Sequence, residues 1–148
     1  PVGSILCGDA TTIAKARRVR KMLGGAMRQA GVIAAAALVA LEEMPGRLGD
    51  DHRNAKRLAM GLDRIPGVRI DVRKVVTNMV SFEVDPAAMD AGAFQKACAE
   101  QGLRISRYLG SSPRLRAVTH VDVGSDDIDR AISIVANVLA RPLVGATR

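Results

Sequence analysis

Apolar positions along the chain change period several times, and each change marks an element. Val2-Gly-Ser-Ile-Leu-Cys7 is a short apolar run with no helical repeat, the pattern of a buried strand. Asp9 stands as the N-cap of a following helix in which Ile13, Ala16, Val19 or Arg20, and Leu23 share a stripe, and Gly24-Gly25 stops it. A second helix is predicted from about Met27 to Met44. Its centre, Gly31 to Leu41, has almost no polar face before Glu42 and Glu43, so it must be enclosed on all sides.

Pro45-Gly46 closes that helix. A third, from about Gly49 to Ile65, is amphipathic, with Ala55, Leu58, Ala59 and Leu62 on one stripe. After the Pro66-Gly67 turn, Val68–Val72 and Asn78–Val84 alternate at period two, and Val80, Phe82 and Val84 share a face. A helix from about Asp90 to Gln101 turns Ala93, Phe94, Ala97 and Cys98 inward, with Gly102 as its stop. Leu103–Ser106 and Leu115–Thr119 form two further strands. Ser125 caps a last helix carrying Ile128, Ile132, Val135 and Leu139 inward, and the chain frays from Pro142. This second part is a ββαββα layer, α+β taken by itself, with its helices on one face of a mostly antiparallel sheet. The strand at the N-terminus has no neighbour close in sequence, so it belongs to a sheet whose other strands lie elsewhere.

Composition narrows the function classes. The 148 residues are 48% hydrophobic and 25% charged, the balance of one globular protein, with no apolar run of the roughly 18–20 residues a membrane span needs. Two cysteines, Cys7 and Cys98, make neither a disulfide framework nor a metal spacing, and no leader segment is recognisable. A reduced, cytoplasmic protein is expected. Aromatic content of 2% excludes a stacking platform for single-stranded nucleic acid. The net charge is +7, and Lys15, Arg17, Arg18, Arg20, Lys21 and Arg28 against Asp9 put +5 of it before residue 29. Such a segment serves an anionic partner or is simply a solvated helix face.

Three stretches are more specific: Pro1-Val-Gly-Ser-Ile-Leu-Cys-Gly8; Arg17-Arg-Val-Arg-Lys-Met-Leu-Gly-Gly-Ala-Met-Arg-Gln-Ala-Gly31; and Leu115-Arg-Ala-Val-Thr-His-Val-Asp-Val123. In this order and at these distances they resemble the C-terminal portion of low-specificity L-threonine aldolases. Those are pyridoxal 5'-phosphate (PLP) enzymes of the aspartate-aminotransferase fold type, fold type I. Asp51-His52-x-Asn54-Ala55 and Thr77-Asn78-Met79 also fit, while Ala26 departs from the family's third glycine. The resemblance implies an α/β fold and a division of the chain. Residues 1–46 would be the last strand of the large PLP domain and its connecting helices, 47–141 the small C-terminal domain, and 142–148 a tail.

The resemblance also assigns roles. Arg28, after a Gly-Gly turn and beside a helix start, would help hold the cofactor phosphate in its own site or an adjacent subunit's, with Lys21 assisting. Arg116, inside a strand where an unpaired charge is costly, would bind the substrate α-carboxylate, for which its fork is suited. Arg114 is the poorer candidate because it precedes the motif. The family's Schiff-base lysine lies upstream of the position matching Pro1, and none of Lys15, Lys21, Lys56, Lys74 and Lys96 has the desolvated setting of a nucleophile. The 148 residues alone are therefore expected to be inactive. His52 and His120 make no zinc site; His120 and Asp122 brace a turn. A homotetramer or dimer with an amino-acid substrate, without membrane or nucleic-acid partner, is implied. Two alternatives stay open: a non-catalytic binding module whose basic N-terminal helix contacts nucleic acid, and another fold-type I enzyme such as a β-eliminating lyase or an aminotransferase relative.

Overall fold

Asp9 caps α1 (Ala10–Met22): its Oδ1 accepts from the Thr12 N–H at 2.8 Å and its Oδ2 from the Thr12 hydroxyl at 2.7 Å. These bonds hold its carboxyl below the usual carboxylate range. The other end of α1 is a Schellman motif. The Gly25 N–H donates to the Arg20 carbonyl at 2.8 Å and the Gly24 N–H to the Lys21 carbonyl at 3.2 Å, with Gly24 at φ +76°. A Cβ on Gly25 would lie 2.9 Å from the Arg20 side chain, so both glycines of the pair are required.

The computed structural model describes residues 4–108 and 113–140. The chain divides into two compact units, Pro1–Gly46 and Arg47–Arg148. In the first unit, α2 is Gly31–Glu43, shorter than the predicted Met27–Met44. Gln29 takes a left-handed φ of +52°, which no helix continues through, and Ala30 offers no side-chain cap. The predicted N-terminal strand is not formed: Ser4–Asp9 is irregular and exposed, and no described strand pairs with it. Val2, its first residue, lies outside the described residues. A strand without a partner has no ladder to satisfy its backbone, so the apolar run by itself is insufficient.

The second unit holds α3 (Leu48–Leu62), β1 (Val68–Arg69), β2 (Met79–Val84), α4 (Ala91–Glu100), β3 (Ser106–Arg107), β4 (Arg114–Val118) and α5 (Ser125–Ala140). The strands form one antiparallel sheet in the order β1-β2-β4-β3. Here the ββαββα expectation holds. Alternation in β2 sends Val80, Phe82 and Val84 into the core, where Phe94 of α4 meets Phe82 edge-on with ring centroids 6.4 Å apart. Leu58 and Leu62 of α3 and Ile128, Val135 and Val138 of α5 complete the same core.

Several boundaries differ from expectation. β1 is two residues, because Asp71 accepts from the Arg73 N–H at 3.1 Å and starts a 3-10 turn at Val72–Lys74. The strand predicted at Leu103–Ser106 forms at Ser106–Arg107 instead. Ala93 is exposed, and α4 buries Ala91, Phe94 and Cys98. In α5 the buried stripe is Ile128, Ala131, Ile134, Val135 and Val138, leaving Ile132 and Leu139 half-buried. Ser125 does not cap α5 but is its first residue; the Gly124 N–H donates to Asp127 Oδ2 at 3.0 Å, so Asp127 does the capping from inside. Pro142 lies outside the described residues.

Helices α3 and α5 meet at Gly61. A Cβ there would fall 2.3 Å from Ile132 Cδ1 and 2.7 Å from its Cγ1. Isoleucine in a helix has little freedom at χ1 to move aside. Gly61→Ala should therefore lower unfolding stability by about 1–3 kcal/mol despite alanine's better helix propensity, read as a lower urea midpoint at unchanged m.

Candidate functional site

The sheet has one face on the core, and among the described residues of the second unit no helix covers the other. On the second face the register lines up Ser81 of β2, Arg116 of β4 and Ser106 of β3 in one row. Next to it are Glu83 opposite Arg114, and Met79 opposite Val118. The two rows treat their charges differently. Arg114 Nε lies 3.4 Å from Glu83 Oε1, and Arg69 at the sheet edge lies 2.7 Å from Asp85. Arg116 is half-buried, and among the described residues no carboxylate pairs with it. What stands over its guanidinium is Tyr108, with Cζ 5.6 Å from the ring centroid. A fork neighboured by a ring in place of an acid keeps its N–H groups available to an anion. Beside this face opens a cleft of about 400 Å³ whose lining includes Ser81, Glu83, Arg114 and Met79.

The end of β4 is fixed by a buried polar latch. Thr119, 1% exposed, donates its hydroxyl to the Asp51 carbonyl at 2.7 Å and its N–H to the Asn78 carbonyl at 3.0 Å. Asn78 returns a bond from Nδ2 to the Thr119 carbonyl at 2.9 Å, and Asn54 Nδ2 donates to the Val123 carbonyl at 3.0 Å. The buried Asp51 carboxylate takes the Arg47 fork at 2.8 and 3.1 Å, which raises the Arg47 pKa. Asp51, Asn54, Asn78 and Thr119 come from three separate motif stretches, and the fold brings them together. Their work is to join the start of α3, the start of β2 and the loop after β4, three residues from Arg116. Each such buried bond contributes about 1 kcal/mol, and leaving one partner unmet costs about 1–3 kcal/mol.

In the first unit, Lys21 lies in the last turn of α1 and Arg28 in the turn before α2, so Arg28 precedes the helix by three residues instead of opening it. Both are exposed, and neither takes part in an ion pair among the described residues. The Schellman turn between them carries no side chain of its own. His120 accepts at Nδ1 from the Asp122 N–H at 3.3 Å, with Asp122 Oδ2 3.4 Å away, a braced turn on the surface. All five lysines are exposed, and Lys56 donates to the Val72 carbonyl at 2.7 Å. Among the described residues no group of His, Cys, Asp and Glu is arranged to hold a metal. Tyr108 is the neighbour that sequence reasoning did not supply. It lies outside the quoted motifs, and its only signal is a lone aromatic two residues after Ser106, just past β3.

Comparison with known proteins gives the family and the fold. The chain matches the beta-eliminating lyase family over residues 1–85. It is 42% identical to low-specificity L-threonine aldolase 1 of Arabidopsis thaliana, over 90% of this chain and 37% of that protein. It is 36% identical to the low specificity L-threonine aldolase of Escherichia coli (strain K12), over 95% of this chain and 40% of that protein. The chain thus spans about two-fifths of the curated relatives it matches. The cystine C-S lyase C-DES, solved with its reaction product cysteine persulfide, superposes with a TM-score of 0.59 at 23% identity, over 73% of this chain and 28% of that one, a likeness of fold.

The two thiols differ in setting. Cys7 is exposed, while Cys98 is buried and its thiol is pushed up to about 11 from 9.0 by that burial. At pH 8 about one Cys98 in a thousand is then thiolate. Iodoacetamide at pH 8 should alkylate Cys7 and spare Cys98 until the chain is denatured, as read by intact mass and peptide mapping. Because the folded pKa is the higher one, stability from this group is full below about pH 9 and is lost as pH rises through about 11.

Proposed function

This chain belongs to the beta-eliminating lyase family, and from that premise we propose that it is the C-terminal portion of a PLP-dependent aldolase. The reaction is cleavage of L-threonine or L-allo-threonine to glycine and acetaldehyde. The observation that carries this reading is Arg116: a half-buried guanidinium on the open face of the sheet, without a carboxylate partner among the described residues. In a protein whose relatives are named threonine aldolases, such a fork fits an amino acid's α-carboxylate. Arg69 and Arg114 are poorer anchors, since each is already engaged by an acid.

The residues present fit the cofactor. Arg28 and Lys21 are two exposed cations flanking a turn of two glycines, a donor set suited to a phosphate dianion. PLP, when bound, supplies the electron sink for the bond-breaking step. The part of this chain is to bind and orient. Arg116 takes the carboxylate with two parallel N–H bonds, and a carboxylate fixed at both oxygens fixes the rotation about the bond to Cα. Which substituent of Cα is presented for cleavage then depends on that grip. Arg28 supplies charge-assisted bonds to the phosphate, and Lys21 adds positive potential.

On the same reading the nucleophilic lysine lies upstream of Pro1, so these 148 residues alone carry the two anion-binding arms without turnover. The assembled protein is a cytoplasmic homo-oligomer, a tetramer or dimer, acting on a small amino acid. It has no nucleic-acid or membrane partner, and no described helix is long and apolar enough to cross a membrane.

Two substitutions in the full-length enzyme separate the arms. Arg116→Ala should lower kcat/KM for L-threonine by at least about 30-fold, with PLP affinity unchanged. Arg28→Ala should weaken PLP binding by about 10- to 100-fold, measured by equilibrium titration, and leave KM for L-threonine near the parent value once PLP saturates. A parent-like KM in Arg116→Ala would sink the carboxylate assignment.

A further inference from the structure

Tyr108 follows β3 directly, and its N–H donates to the Arg114 carbonyl at 3.2 Å, so the pairing of β3 with β4 continues one residue past the strand. In that register Tyr108 is opposite Arg114 and diagonal to Arg116, on the helix-free face. Diagonal neighbours in a sheet lie within reach of each other when one is aromatic and the other long. The 5.6 Å from Arg116 Cζ to the ring centroid is such a contact, within the range of a cation–π attraction. Tyr108 is 39% exposed and takes no part in the core cluster.

How a guanidinium is held decides what it has left to offer. An acid takes the edge, where the N–H donors are; Glu83 and Asp85 do this to Arg114 and Arg69. A ring attracts the cation without a carboxylate oxygen to occupy the N–H edge, and so leaves the donors of the fork for another anion. It also covers one side of the ion from water without adding a negative charge that would compete with a substrate carboxylate. Serines flank Arg116 on both neighbouring strands, but a hydroxyl accepts from a single N–H and does not set the plane of the fork.

We propose that Tyr108 is a positioning residue for carboxylate recognition: its ring holds the Arg116 guanidinium in place without spending its N–H groups, so that these meet the substrate. The inference rests on the reading of Arg116 as the carboxylate anchor. Its chemistry needs the π face and not the hydroxyl, which separates it from a role as acid, base or hydrogen-bond donor.

The test uses the full-length enzyme with PLP and L-threonine. Tyr108→Phe should stay within about 2-fold of the parent in kcat/KM. Tyr108→Leu, of similar bulk without a π face, should lose about 3- to 10-fold, mostly as a higher KM, and Tyr108→Gln should behave like Tyr108→Leu. In an Arg116→Ala background Tyr108→Leu should cost nothing further, because its effect runs through the guanidinium. Parent-like kinetics in both ring-free variants overturns the proposal, as does a loss in Tyr108→Phe equal to that in Tyr108→Leu. An undiminished loss in the Arg116→Ala background also overturns it. If Arg116→Ala itself leaves KM at the parent value, the carboxylate reading fails first and Tyr108 falls with it. If Arg116→Ala raises KM and the ring-free variants do not, Tyr108 alone is refuted.

Discussion

A sheet covered by helices on one side only must send every second side chain of each strand away from its core. That period-two constraint governs the second unit. In β2 it commits Val80, Phe82 and Val84 to the interior, and by the same geometry it delivers Met79, Ser81 and Glu83 to the other face. In β4, Leu115 is fully buried, so Arg114 and Arg116 have to stand on the open face. Sliding β4 by one residue would put a guanidinium into the core and leucine outside, at a cost of several kcal/mol for the unpaired charge. The register of the apolar half thus fixes the position of the ionic half, and Arg116 is held in its row by apolar side chains on the opposite face.

Charge on that open face is managed in two ways, and the contrast gives Arg116 its meaning. Arg69 and Arg114 sit in ion pairs with acids across or beside the strands, exposed and worth little to stability. Arg116 has an aromatic ring in place of an acid. A structural arginine would gain from a carboxylate in the same row, yet the positions opposite it are Ser81 and Ser106. Small uncharged neighbours leave both room and unspent donors. Just beyond, Thr119, Asn78 and Asp51 lock the strand end to two other elements, so the row is carried on a part of the sheet whose exit is pinned by buried hydrogen bonds.

Much of this was legible in the sequence, for physical reasons that also mark where legibility stopped. Burial at period two or 3.6 is a statistical signal spread over many residues, so β2, α3 and α5 were all visible. Caps depend on single atoms. Asp9 was readable because an Asp just before a helical repeat serves donors three residues on, whereas at α5 the N–H that is served is that of Gly124, and Asp127 reaches back to it from inside the helix. Met27–Ala30 read as helix because its residues are helix formers, but the left-handed Gln29 is set by the turn and not by propensity. The latch residues appeared in the motifs as separate fragments. Their common purpose is a matter of contacts 41 to 69 residues apart in sequence, which no local pattern encodes. Tyr108 was silent because a cation–π contact has no spacing rule.

Arg116 and Arg28 stand on foundations of different kinds. Arg116 belongs to a unit with its own core, built from residues that are nearly all less than a tenth exposed. Among the described residues of the first unit none is buried, and Val32, Leu38, Val39 and Leu41 of α2 are each at least half exposed. Thirteen-residue helices such as α1 and α2 are marginal in water on local bonds alone, and most helix stability in proteins comes from burying an apolar face. The Asp9 cap and the Schellman turn define where α1 begins and ends, but they do not supply that burial. Local chemistry therefore shapes the end of α1 and the glycine turn that leads toward Arg28, and no buried apolar face among the described residues of the first unit adds to it. Arg116 rests on the core of its own unit, and Arg28 on local bonds.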